Sequence, residues 1–149
     1  MAMILGSDSA SAGDNPLGLH PDHVTASVSD IDRATRWYAD VLGFRLIERG
    51  NLQNGAFQFA ELAIQDFGIG LVQFPGAHPP MAPSLPGSPT WLHIVFSVAN
   101  PDETFERLRQ RGADVFTRPA DAKRPLSSFL LHDSEGNEIE IVRRKINRP

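Results

Sequence analysis

The stretch Trp91-Leu92-His93-Ile94-Val95-Phe96-Ser97-Val98 repeats an earlier one, Asp22-His23-Val24-Thr25-Ala26-Ser27-Val28. An offset of 70 lays His93 on His23, Ser97-Val98 on Ser27-Val28, and the amphipathic run after each onto the other. Self-similarity at a fixed offset is the mark of a duplicated structural unit. Each copy therefore opens with a histidine on a strand. In the first copy His23, Thr25 and Ser27 alternate with Val24, Ala26 and Val28, the period of two that gives a strand one polar and one apolar face. His23 and Thr25 then look the same way.

Outward from these strands the two copies read alike. In the first, Ser29-Asp30 supplies an N-cap, residues 31–42 carry apolar side chains at helical spacing, and Gly43 ends the helix. Strands are expected over 44–49, 56–64 and 69–74, with turns at 51–55 and 66–68. In the second, Asn100-Pro101 caps a helix stopped at Gly112, and strands follow over 114–117, 127–132 and 138–143. Residues 75–89 hold six of the twelve prolines and form the connecting loop. The expected organisation is a flexible leader over 1–18 and a single domain over 19–149, made of modules 19–74 and 90–144. The fold class is α+β: two βαβββ modules forming an eight-stranded cupped sheet with the helices outside.

Composition narrows the function. With 149 residues, 41% hydrophobic and 21% charged, the chain is long enough to bury a core and has no bias towards disorder. A net charge of -4 argues against a nucleic-acid surface. No run approaches the ~18 apolar residues of a membrane span, and the first residues lack the basic flank of a signal peptide. The expected setting is cytoplasmic, with a small-molecule partner rather than nucleic acid or membrane. The chain contains no cysteine, so a metal would be held by nitrogen and oxygen.

Several groups of residues together resemble one family. They are His23-Val24-Thr25 with Ser29-Asp30, and Trp37-Tyr38 leading to Val41-Leu42-Gly43-Phe44. To these add His93 to Val98, and Asp133-Ser134-Glu135-Gly136-Asn137 followed by Ile139-Glu140-Ile141. The chain resembles, over residues 22–143, the vicinal oxygen chelate superfamily of glyoxalase I, extradiol dioxygenases, fosfomycin-resistance thiol transferases and bleomycin-binding proteins. The resemblance implies a divalent metal ion (iron, manganese, zinc, nickel or cobalt) held by His23, His93 and Glu140. Two neutral imidazoles and a carboxylate on one face leave other positions open to substrate oxygens. Glyoxalase-like members add a fourth ligand on the last strand of the first module. Laying Gly70-Leu71-Val72 on Ile139-Glu140-Ile141 puts Leu71 there, with Gln73 on the same face recruited only by a register shift, and Glu61 a strand-surface residue that reaches the metal only in another register.

A three-ligand site tilts the expectation towards a dioxygenase-like enzyme acting on vicinal oxygens, ahead of a glyoxalase-like lyase or isomerase or a thiol transferase. The dioxygenase tyrosine falls at Leu130; the transferase lysine and tyrosine fall at Ala120 and Leu130, while the transferase threonine is matched by Thr25. Thr25 and His78 are the candidate catalytic residues, with His78 or His132 as a general base. His132 and Glu138 read as turn-side and solvated residues, and Phe57, Phe59 and Phe129 as core or pocket wall. The resemblance also implies a homodimer, with each site either shared between chains or closed within one. The reading from another class is a metal-free antibiotic-binding resistance protein.

Overall fold

The computed structural model describes residues 22–78, 93–118 and 121–145. The expected leader, most of the proline-rich loop, Ala120 and Trp91 lie outside them. In order the elements are β1 (His23–Ser27), α1 (Ile31–Asp40), β2 (Arg45–Leu52), a single 3-10 turn (Gln53–Gly55), β3 (Phe57–Ile64) and β4 (Phe67–Gln73). The second module supplies β5 (His93–Val98), α2 (Pro101–Gln110), β6 (Asp114–Phe116), β7 (Ser128–His132) and β8 (Glu138–Arg143). The βαβββ order is present twice, as the duplication requires.

Each module forms a four-stranded sheet, in the orders β1-β4-β3-β2 and β5-β8-β7-β6. In both, the first strand runs parallel to the last and the other pairs are antiparallel. The eight strands thus lie in two hydrogen-bonded sheets, and side chains rather than a backbone ladder join β1 to the second half. Two strands differ from expectation. β2 continues to Leu52 because Asn51 and Leu52 still pair with Gln58 and Phe57. β4 begins at Phe67 because Gln65, at φ 51°, turns the chain within two residues.

Both helices are capped as read: Asp30 accepts from the Arg33 amide at 2.9 Å, and Asn100 from the Glu103 amide at 3.4 Å. α1 buries Ile31, Ala34 and Tyr38 on Ala60, Leu62, Ile69 and Leu71, and this core runs on into Phe129, Leu131, Ile139 and Ile141 of the second module. Phe96 sits edge-on to both Phe44 and Phe67 across the seam. The seam is also polar. The Tyr38 hydroxyl donates to buried Asp133 at 3.0 Å, and the Glu135 carboxylate accepts from the Ser29 amide, the Ser29 hydroxyl and Arg33. The Asp133 to Asn137 turn is therefore the part of the second module that grips α1. Among the described residues no helix is long and apolar enough to cross a membrane.

Candidate functional site

On the face of the first sheet away from α1, pairing places His23 beside Gly68, Thr25 beside Gly70, and Gly70 beside Glu61. The two glycines make the bed on which the His23 ring lies. A Cβ at position 70 would stand 3.3 Å from His23 Cδ2 and 3.1 Å from Thr25 Oγ1; one at position 68 would stand 2.9 Å from His23 Cβ. His23 Nδ1 meets the Asp22 carboxylate at 2.6 Å. That contact holds the proton on Nδ1 and leaves the Nε2 lone pair for another partner. The ring stays 41% exposed.

The second sheet repeats the register. His93 pairs with Glu138 and Val95 with Glu140, as His23 pairs with Gly68 and Thr25 with Gly70. The offset of 70 that superimposes the histidines thus superimposes Glu140 on Gly70. This corrects the expectation for the fourth ligand. Leu71 lies on the opposite face, fully buried under α1, because a one-residue slip along a strand turns every side chain to the other side. Gln73 shares that helix-side face: its Oε1 accepts from the Ile31 amide at 2.8 Å and satisfies the start of α1. Gly70 supplies no donor. Glu61 does stand on the open face next to Gly70, exposed.

Of the three residues expected at the metal, His23 and Glu140 are described in full, Glu140 half-buried. The backbone of His93 is placed by its pairing with Glu138, and its side chain lies outside the described residues. Among those described, no three histidine, aspartate or glutamate side chains gather as a metal site. The donor chemistry nevertheless fits a divalent ion. An imidazole with Nδ1 bonded to a carboxylate and Nε2 open is the form that ligates metal, and a carboxylate such as that of Glu140 is a donor the same divalent ions accept.

Other predicted residues divide. Thr25 is exposed on the His23 face. A hollow of about 230 Å³ between the modules runs along the edge of β1, lined by Val24, Thr25, Ala26 and Ser27 from both its faces and by Asp133 and Glu138 of the second module. His78 is exposed and borders a hollow with Ser27, Ser29 and Glu135, at the end of β1 away from His23. Leu130 faces Glu140 from β7 and is buried. Phe57 and Phe59 belong to the open face: Phe57 packs edge-on to Phe74 at 4.9 Å, and Phe59 brings Cε1 to 2.9 Å from where a Cβ on Gly50 would stand. Phe129 is core. Glu138 pairs with Arg118 at 3.3 Å. His132, which the sequence offered as an alternative general base or a turn-side residue, holds Asp114 at 2.7 Å and stacks on Phe116.

The model of the Glyoxalase/Bleomycin resistance protein/Dioxygenase superfamily matches residues 20–141. The chain belongs to this superfamily. A lactoylglutathione lyase of Salmonella typhimurium is 29% identical over 132 residues, 83% of this chain and 91% of that enzyme. Solved members of the superfamily share the fold. A glyoxylase/bleomycin resistance protein/dioxygenase domain from Frankia covers 87% of this chain and 95% of its own, at TM-score 0.66 and 21% identity. Glyoxalase I of Leishmania major covers 82% and 84%, at TM-score 0.65 and 16% identity. A fosfomycin resistance protein of Listeria monocytogenes, solved with Mn(II) and a dihydroxypropylphosphonic acid, covers 85% and 93%, at TM-score 0.62 and 16% identity.

Proposed function

We propose that this superfamily member is a divalent-metal enzyme that takes up the vicinal oxygens of a small organic substrate at His23, His93 and Glu140. The observation that carries the proposal is the equivalence of Gly70 with Glu140. It leaves two histidines and one carboxylate as protein donors and the remaining positions for substrate. The orientation of His23 by Asp22 supports it. The metal, when bound, polarises the substrate oxygens and stabilises negative charge that develops on them. The chain's own residues do the rest. Thr25 offers a hydroxyl to a substrate oxygen beside His23, and Phe57, Phe59 and Phe74 form an apolar wall that excludes water. Oxygenative cleavage of a catechol-like substrate is the reaction this donor set favours.

A second reading, a lyase or isomerase of the glyoxalase kind, is supported by the lactoylglutathione lyase relative. It requires a base other than a carboxylate at position 70. The active form is proposed to be a homodimer. Leu52, Phe74 and Val95, all on the open faces, are close to half exposed, and a second chain would cover them.

Elemental analysis of tag-free protein beside a His93→Ala variant tests the proposal. About one divalent ion per chain, lost in the variant, is expected. Oxygen uptake with catechol after anaerobic iron loading then separates the first reading from turnover of the methylglyoxal–glutathione adduct. Absence of metal after reconstitution would leave a metal-free binding protein.

A further inference from the structure

We propose that a hollow between α2 and the β3–β4 turn binds a small aromatic carboxylate, at a place separate from the metal donors. The duplication leaves two seams between the modules, and they are filled differently. At one, residues 133–137, which link β7 to β8, reach α1 through Tyr38, Ser29 and Arg33. At the other, only Gln65 and Asp66 link β3 to β4. There the offset of 70 puts Leu108, Ala99 and Glu103 where the first module has Tyr38, Ser29 and Arg33. An alkyl chain, a methyl group and an acid cannot repeat that clamp. A hollow of about 710 Å³ is left beside the C-terminal ends of both helices, a volume within the roughly 300–1,000 Å³ of small-molecule sites.

Floor and rim set the ligand. Phe44, Phe67 and Phe96 meet edge-on with centroids 5.6 to 6.4 Å apart, and Phe67 and Phe96 keep part of their surface open. A further planar ring joins such a cluster in the same edge-on or offset manner. Arg111, which ends α2, takes the place that Val41 has in the first module, and its Nη1 donates to the Val41 carbonyl at 3.0 Å. That contact fixes the guanidinium at the hollow. Its other N–H groups meet no carboxylate among the described residues. Arg107 is engaged by Glu103 at 2.6 Å, and the one acid in the lining, Asp66, is exposed on the turn. Arg111 is therefore the cation left to take an anion, and its planar fork matches a carboxylate. None of His23, His93 and Glu140 borders this hollow.

Calorimetric titration of metal-free protein with 1-naphthylacetate, beside its neutral analogue 2-(1-naphthyl)ethanol, tests the site. About one acid per chain is expected, bound roughly tenfold more tightly than the alcohol. Arg111→Gln should abolish that preference and leave the affinity for the alcohol unchanged, a result that loss of the Val41 contact alone would not give. Ser97→Trp, at an exposed position bordering the hollow, should block both ligands. Amide shifts in NMR should gather on Phe67, Phe96 and Arg111. Equal affinity for acid and alcohol, no binding at millimolar ligand, or shifts gathered around His23 would overturn the proposal. So would an affinity that falls as protein concentration rises, which would give the hollow to a second copy of the chain. Since the titration needs no metal, failure of the metal-enzyme reading leaves its outcome untouched.

Discussion

The Tyr38 hydroxyl donates to the Asp133 carboxylate at 3.0 Å, fastening the helix of the first module to the last turn of the second. Asp133 also accepts from the amides of Glu135 and Asn137 at 2.8 Å each, so the carboxylate is held in place before Tyr38 reaches it. Tyr38→Phe removes one donor and leaves the others. A loss of about 1–2 kcal/mol is expected in urea denaturation. Burial first, then the charge and hydrogen bond of Asp133, push the Tyr38 phenol far above its ordinary value of 10.0. A pKa raised by folding contributes stability that is complete below the unfolded value and lost as pH rises towards the folded one. The wild type should therefore lose stability above about pH 10, and Tyr38→Phe should flatten that alkaline slope.

Glu135 is the acid-side counterpart. Burial alone would raise its pKa, but the Ser29 hydroxyl and amide and the Arg33 guanidinium outweigh it, so the carboxyl sits below its ordinary value of 4.5. A depressed pKa contributes stability that is present above the unfolded value and lost as pH falls through the folded one. Glu135→Gln should cost about 2–3 kcal/mol at pH 7, because it leaves Arg33 without its buried partner. The difference between wild type and variant should shrink below about pH 4.5. Denaturation curves at neutral and acid pH check both statements.

Asp22 touches the proposed metal site only through His23. Asp22→Asn should keep the fold, since Asp22 is exposed at the start of β1, while weakening divalent-metal affinity roughly 10–100-fold. Calorimetric titration with zinc or manganese measures it. Unchanged affinity would mean that the Asp22 contact has no part in ligation.

Gly70→Ala probes the bed of the imidazole. The new Cβ would press on Thr25 Oγ1 at 3.1 Å and His23 Cδ2 at 3.3 Å. The ring must shift by a few tenths of an ångström, and metal affinity should drop about tenfold with little change in melting temperature. Metal affinity equal to that of the wild type would show that His23 is free to reseat.

A site shared between two chains can be restored by mixing two inactive variants. In a heterodimer of His23→Ala with Glu140→Ala, one site collects both lesions and the other none. Random mixing makes about half of the dimers mixed, each with one intact site of two, so the mixture as a whole should regain about a quarter of the wild-type metal content. If each chain holds its own site, the mixture stays empty.

The duplication, the βαβββ order and the caps at Asp30 and Asn100 were legible in the residues, because strand and helix periodicities and capping chemistry are local properties. His23 and His93 stood out for a related reason, since a repeat marks equivalent positions without a fold, while Glu140 joined them only through the resemblance to the family. Four matters depended on contacts between distant parts of the chain. Register put Gly70 rather than Leu71 in the place equivalent to Glu140, and a single residue of slip exchanges core for open face. Gln73 took the amide of Ile31, a partner 42 positions away. His132 met Asp114 across a strand pair, and Phe57 and Phe59 proved to be wall rather than core. Such contacts are absent from the linear chain because they exist only once backbone hydrogen bonds between strands have chosen which side chains stand side by side.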